Sequence, residues 1–317
     1  MHRVCLVGCG RIAATHARNL AGRVSLLCYS RTPASAARLA ARFGGEVVPS
    51  WEQVLRRADI EALVLCSPPR AHCEQAMAGL AAGKSVLVEK PLCVCRDELE
   101  RIAAAAAGAP AGTRLMVAEN YYYKPLATLL RGIVRLGLIG APHRLEVRKL
   151  YHQPARGWRQ ELGALLEGGI HFVALVSAVA ESCGCTAPER VHAEFPRQAA
   201  PTAAERRACV ELEYGAALRA RIDYAWDQPA LLHGLLQHSR LEGSQGRVVF
   251  ESNGLYAYLS SPGRRRLCWP GWGDLMGYRA MMRDFLACLA EPARQPLSNL
   301  ERARRDLEIV LQAYARL

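Results

Sequence analysis

A glycine turn between a strand and a helix, at the very start of the chain, limits the fold more than any other feature. Residues 4–8 are an apolar run that ends in Gly8-Cys9-Gly10-Arg11-Ile12-Ala13, and residues 11–20 have helical spacing. Gly8 permits a tight turn, and Gly10 lets the backbone approach a pyrophosphate. The small Ala13 allows the helix to pack closely on the strand. A helix amino end beside such a turn stabilises an anion. Alone, a glycine pattern says little; at the head of an alternating series of strands and helices it points to a dinucleotide.

That series follows. Strands at 24–29, 62–66, 85–88 and 114–118 alternate with helices at 34–43, 51–57 (capped by Ser50), 72–82 and 97–107. Strands and helices at this spacing predict an α/β fold, with a doubly wound parallel sheet over residues 1–120. Beyond Asn120 the texture changes. Helices at 126–136 and 163–181 accompany strands at 143–151, 191–195, 208–214, 217–224, 231–240 and 247–251, most with no helix between them. Tyr214-Gly215 and Ser252-Asn253-Gly254 read as hairpin connections. Residues 121–317 are therefore expected to form an α+β domain with an open, mainly antiparallel sheet. It would end in helices at 277–289 and 300–317 that can pack back on the first domain.

The end of the second strand selects the cofactor. An acid about twenty residues past the glycines would bind the ribose hydroxyls of NAD. Tyr29-Ser30-Arg31-Thr32 contains none. Ser30 and Thr32 can donate hydrogen bonds, and Arg31 can pair with a 2′-phosphate. NADP(H) is therefore favoured, with NAD(H) the alternative. The loop of Ser67 and Pro68 would line the cofactor, and His72 either touches it or simply opens the next helix. Gly8, Gly10, Arg11, Ile12, Ser30, Arg31, Thr32, Ser67, Pro68, His72, Glu89, Lys90 and Asn120 make up the expected cofactor-binding set.

Two clusters could carry chemistry. The buried run 85–88 stops at Glu89-Lys90-Pro91, because proline removes a backbone donor. Lys90 is thereby presented at a strand's carboxyl end, where open α/β sheets bind ligands. Lys84, Lys124 and Lys149 are the only other lysines. A partly buried lysine can exchange its proton, which arginine cannot. Further on, Glu167 and His171 stand four apart and would share a helix face. A histidine exchanges protons near neutral pH, and a neighbouring carboxylate can fix its tautomer. Taken singly, these residues read as a surface lysine in a turn and a satisfied helix histidine.

The segments together resemble the Gfo/Idh/MocA family of oxidoreductases. The resemblance runs along the whole chain, from the glycine turn and Ser67-Pro68-Pro69 through Glu89-Lys90-Pro91 and Tyr123-Lys124-Pro125. It continues in the glycine-rich helix ending in His171 and in Leu241-Glu242-Gly243-Ser244-Gln245-Gly246. It implies a Rossmann domain, then a domain whose open sheet forms dimer or tetramer contacts, hence a homodimer or homotetramer. It also implies a catalytic lysine at Lys90 and a catalytic histidine at His171, oriented by Glu167. The chain departs from the family at two places: Glu167 stands where aspartate is usual, and Ala174 where an acid is usual three positions after the histidine.

The implied reaction is hydride transfer between NADP(H) and a carbonyl/alcohol of a sugar, cyclitol or related polyol, a small-molecule substrate. Tyr122, Tyr123, Tyr151, His152, Trp158 and Arg159 flank the catalytic segments and are candidates for the substrate pocket. Two alternatives remain open: reduction of a C=N or conjugated, tetrapyrrole-like substrate, and a non-catalytic NADP-binding sensor or scaffold.

Composition narrows the partners. The net charge of +12 comes from scattered arginines, and its densest run, Arg264-Arg265-Arg266, has no interleaved aromatics. No nucleic-acid partner is expected. No window approaches the apolar length of a membrane helix, and Met1-His2-Arg3 leads straight into a strand, so a cytoplasmic protein without a membrane partner is expected. The twelve cysteines fit reduced thiols. Cys93-Val94-Cys95 and Cys183-Gly184-Cys185 have the wrong spacing for a zinc or thioredoxin motif, so no metal is expected.

Overall fold

The computed structural model describes residues 1–154, 161–196, 204–291 and 293–315, and the chain divides into two compact units. One comprises Met1–Glu119 with Tyr278–Arg304, the other Asn120–Gly277 with Arg305–Leu317.

The first unit is built on strands β1 (Arg3–Val7), β2 (Ser25–Tyr29), β3 (Glu46–Val47), β4 (Ala62–Leu65), β5 (Ser85–Val88) and β6 (Leu115–Val117). Their order is β3-β2-β1-β4-β5-β6, with every pair parallel. β4 and β5 are buried at every position, as strands covered on both faces by helices must be. The covering helices include α1 (Arg11–Leu20), α2 (Pro33–Phe43), α3 (Trp51–Arg56), α4 (His72–Ala81) and α5 (Arg96–Ala107). α1 buries Ala13, His16, Ala17 and Leu20, the single stripe that a 3.6-residue period turns inward. Ser50 caps α3 by accepting the Gln53 N–H at 3.2 Å, as expected.

The second unit holds α6 (Pro125–Arg135), α7 (Ile170–Ser182) and strands β7 (Pro142–Leu150), β8 (Arg190–Glu194), β9 (Arg207–Tyr214), β10 (Leu218–Ala225), β11 (His238–Gly243), β12 (Gly246–Glu251), β13 (Ala257–Ser261) and β14 (Arg264–Cys268). The sheet order is β14-β13-β12-β11-β7-β10-β9-β8, and only β7 and β10 pair in parallel. β9 and β10 alternate buried and exposed residues, so one face of the sheet is covered and the other open. The expected fold class, a parallel doubly wound sheet plus a mainly antiparallel one, is what the chain adopts.

Three details differ from expectation. The strand expected over 231–240 is a short 3₁₀ turn at Leu231–Gly234, and pairing begins only at His238. Leu232, Gly234 and Leu236 take positive φ of 49°, 78° and 62°, a backbone that cannot continue a ladder. The hairpin β13–β14 was not expected. Its second strand is almost wholly exposed and arginine-rich, so it carries no apolar alternation to detect. Finally, Leu165–Ser182 is long and apolar enough to span a membrane by length and composition, contrary to expectation. It is 83% buried within the fold, as a core helix would be.

Candidate functional site

At the carboxyl end of β1, Gly8 takes φ +87° and donates its N–H to the Tyr29 carbonyl at 2.8 Å. A Cβ there would stand 2.8 Å from the Ser67 nitrogen and 2.9 Å from the Cys66 carbonyl carbon. Glycine is thus required twice, for the dihedral and for the close approach to the β4 loop. Gly10 is different. It is exposed, and nothing lies within 4 Å of where its Cβ would be. It is also the N-cap of α1, which has neither a side-chain cap nor an acid in its first turn. Unsatisfied first-turn N–H groups and the positive helix end therefore border open space, which fits an anionic pyrophosphate. Arg11 is exposed and Ile12 half-buried at the same helix end.

The end of β2 lies beside this turn. Thr32 donates its N–H to Ser30 Oγ at 3.3 Å, and the Arg31 and Thr32 side chains are exposed. With no carboxylate in this segment, it fits a phosphorylated ribose better than free hydroxyls. Across the turn, Ser67 Oγ donates to Gln75 Oε1 at 2.5 Å, and Pro68 is exposed.

His72 opens α4 and is fully buried. Its Nδ1 lies 2.8 Å from the Pro91 carbonyl and its Nε2 2.9 Å from the Ser67 carbonyl. The ring fastens the two loops together and offers no surface to a ligand. Burial holds its pKa below the ordinary histidine value, against the pull of those two carbonyls.

Glu89 is buried, with Oε1 2.6 Å from His16 Nε2, while Oε2 accepts the Lys90 N–H at 3.2 Å. Burial alone would raise its pKa. The hydrogen bond from His16 and the attraction of the neighbouring basic groups, Lys90 among them, outweigh it, and the carboxyl stays below the ordinary value. His16 in turn meets the Tyr278 ring edge-on, with centroids 5.9 Å apart. This pair anchors the backbone at Lys90, whose bond to Pro91 is cis and whose side chain is half-buried. The other lysines are buried: Lys84 donates to the Arg57 and Ile60 carbonyls, Lys149 to the Gly234 carbonyl and Asn253, and Lys124 is fully enclosed.

In the second unit, the segment expected as a continuous α-helix begins as a π-helix over Leu165–Gly169 and becomes α7 at Ile170. Glu167 and His171 therefore stand on either side of the change from π to α geometry, and π-segments are frequent at functional sites. Glu167 is buried and His171 half-buried. Gly168 allows the wide turn to form: a Cβ there would fall 1.9 Å from Tyr224 Oη. The amino end of the π-segment is closed from outside. Glu205 Oε1 accepts the Leu165 N–H at 2.8 Å and the Tyr314 hydroxyl at 2.7 Å, and Tyr314 Oη accepts the Leu166 N–H at 3.1 Å.

His171 stacks on Tyr121, with ring centroids 4.7 Å apart and planes 13° from parallel. The Lys124 ammonium stands 4.3 Å from the centroid of the same ring, and Phe172 meets it edge-on at 5.2 Å.

The expected substrate residues have varied placements. Tyr122 is buried, donating to Asp306 and accepting from Arg305, both at 2.6 Å. Tyr123 is buried; Tyr151 is half-buried, its hydroxyl 2.9 Å from that of Tyr224; His152 is exposed. Trp158 and Arg159 lie outside the described residues. Asn120 is buried and donates to the Met276 carbonyl at 2.6 Å, and Ala174 is fully buried. Sequence reasoning missed His16, Tyr121, Lys124 and Glu205. Only His16 left a signal, a titratable group on the apolar stripe of α1 that needs a buried partner.

Residues 2–118 match the model of an oxidoreductase family with an NAD-binding Rossmann fold, the Gfo/Idh/MocA family. The chain is 38% identical over 94 residues to a dTDP-3,4-didehydro-2,6-dideoxy-alpha-D-glucose 3-reductase of Saccharopolyspora spinosa, covering 30% of this chain and 27% of that protein. It is 28% identical over 141 residues to an inositol 2-dehydrogenase of Rhizobium meliloti, covering 44% of this chain and 42% of that one. The chain thus spans less than half the length of these relatives. Its fold is similar to that of a 3-ketoreductase from Actinomadura kijaniata in complex with TDP-benzene and NADP. That likeness has a TM-score of 0.78 at 21% identity and covers 96% of this chain and 94% of the other.

Proposed function

We propose, from the match of residues 2–118 to the Gfo/Idh/MocA oxidoreductase model, that this chain moves hydride between NADP(H) and a carbonyl/alcohol of a sugar, cyclitol or related polyol. One observation carries the proposal: the uncapped α1 amino end and the bare Gly10 border a strand end that holds Ser30, Arg31 and Thr32 and no acid. The similarity to a dTDP-sugar 3-reductase and an inositol 2-dehydrogenase supports the substrate class.

Bound NADPH would supply the hydride. The first-turn N–H groups of α1 hold the pyrophosphate, and Arg31 pairs with the 2′-phosphate. Lys90, its backbone fixed by the Glu89–His16 pair, stabilises the negative charge that develops on the carbonyl oxygen. His171 supplies the proton to that oxygen, and Glu167 holds the histidine in the tautomer that donates it. In the direction of oxidation the same groups take the proton from the alcohol.

The test is NADPH oxidation across a panel of keto sugars and keto-inositols, with Lys90→Met and His171→Ala compared with the parent. Turnover that each substitution lowers by about 10²–10⁴-fold supports the assignment. A parent that binds NADPH but oxidises it with no member of the panel would overturn it.

A further inference from the structure

We infer that Tyr121 is a positioning residue that fixes the plane of the His171 imidazole, with Lys124 holding the tyrosine ring in turn; its catalytic consequence rests on the role proposed for His171. The imidazole and the ammonium lie 4.7 Å and 4.3 Å from the centre of one and the same ring. Phe172 stands at 5.2 Å, edge-on to the tyrosine. Tyr121 and Lys124 are buried, at 6% and 0% exposure, and so are not free to swing aside.

Stacking restrains an imidazole in a particular way. Rotation about the ring's own side-chain bond would break the 13° alignment, whereas both nitrogens stay on the ring perimeter, outside the contact. The stacking therefore holds the donor edge in orientation while leaving both nitrogens outside the ring contact. The ammonium is attracted by the quadrupole of the tyrosine ring, which secures that ring in turn. A phenylalanine at 121 would keep all three contacts, because none uses the hydroxyl. Each part follows from the run Asn120-Tyr121-Tyr122-Tyr123-Lys124. A short 3₁₀ turn over Asn120–Tyr123 sends Tyr121 to His171 and the next side chain, Tyr122, to Asp306.

Two measurements on the full chain test this. The first needs no activity: the carbon-bound ring protons of His171, observed by ¹H–¹³C NMR, should be shifted upfield by the tyrosine ring current. The shift should persist in Tyr121→Phe and vanish in Tyr121→Leu. The second is kinetic, with the keto sugar that the parent reduces fastest. Tyr121→Leu should lower kcat about tenfold while KM changes by less than about twofold, and Tyr121→Phe should recover most of the loss.

Ring signals that are the same in the parent and in Tyr121→Leu overturn the inference, as does a lost ring shift with kcat unchanged. If Tyr121→Leu does not fold, Lys124→Met takes its place. It should move the His171 signals toward their unstacked positions, and unmoved signals would again overturn the inference. A parent that reduces no keto sugar refutes the proposed function, and the ring shifts then still decide whether Tyr121 orients the imidazole.

Discussion

The two glycines of the nucleotide turn should respond to the same substitution in opposite ways. For Gly8→Ala, a φ of +87° puts an L-residue in the left-handed region, which costs about 1–2 kcal/mol. The new Cβ would also stand within 3.0 Å of three backbone atoms of Cys66 and Ser67, which cannot rotate away. Forcing that loop outward adds about 1–3 kcal/mol, so folding should lose about 2–5 kcal/mol in all. For Gly10→Ala, φ is −86° and no atom lies within 4 Å of the Cβ. The weaker N-cap costs about 0.5–1 kcal/mol, and the stiffer unfolded chain returns about 0.4–1 kcal/mol. Its stability should therefore stay within about 0.5 kcal/mol of the parent, by that same difference.

The methyl at residue 10 nevertheless occupies the path by which a pyrophosphate would reach the first-turn N–H groups. Losing one such charge-assisted bond, at about 1.5–3 kcal/mol, weakens NADPH binding by about ten- to a hundredfold. Urea unfolding, with the slope checked for constancy, and NADPH fluorescence titration read the two effects separately. Equal unfolding midpoints for the two variants, or Gly10→Ala binding NADPH as tightly as the parent, would refute the reasoning.

Other consequences are equally concrete. Arg31→Ala should weaken NADPH binding about tenfold or more and leave NADH binding unchanged, with a smaller effect at high salt because the side chain is exposed. Parallel losses for both coenzymes would contradict a 2′-phosphate contact. His16→Ala leaves the Glu89 carboxylate buried without its partner and should cost about 3–5 kcal/mol in urea unfolding; adding Glu89→Gln should recover part of that loss. Burial lowers the His72 pKa in the fold from its ordinary 6.5. Below that pH the unfolded chain binds the extra proton, so this contribution is complete above pH 6.5 and is lost as the pH falls toward the folded value. Glu89, with its pKa depressed from 4.5, adds a further loss in the same direction at lower pH. His72→Gln should flatten the pH dependence of the urea midpoint below 6.5, and curves that run parallel would count against it.

The first unit was legible because each of its signals is local. The apolar runs of β1, β4 and β5 and the glycine turn fall within a few residues of one another. Lys90 could be placed because proline marks the strand end on the sequence itself. What stayed hidden depends on partners distant in the chain. Glu89 was expected to meet a cofactor, but its carboxylate is held by a histidine 73 residues earlier. Among the three consecutive tyrosines, only the path of a short 3₁₀ turn decides that Tyr121 reaches His171 while Tyr122 is taken by Asp306 and Arg305. The π-turn before α7 was also unreadable, since it exists to fit Gly168 beneath Tyr224 and residues 165 and 166 onto Glu205 and Tyr314. Edge strand β14 escaped for the opposite reason: it buries too little to leave a pattern.

The central claim, hydride transfer from NADPH to a sugar or polyol carbonyl, is tested most directly by following the hydride. NADPH deuterated at the transferable nicotinamide position would be incubated with the chain and each keto sugar or keto-inositol of the panel, and the products examined by mass spectrometry and NMR. We predict one deuterium on the new carbinol carbon of at least one product, with that incorporation lost in Lys90→Met and in His171→Ala. Tight NADPH binding with no deuterium in any product would contradict the claim.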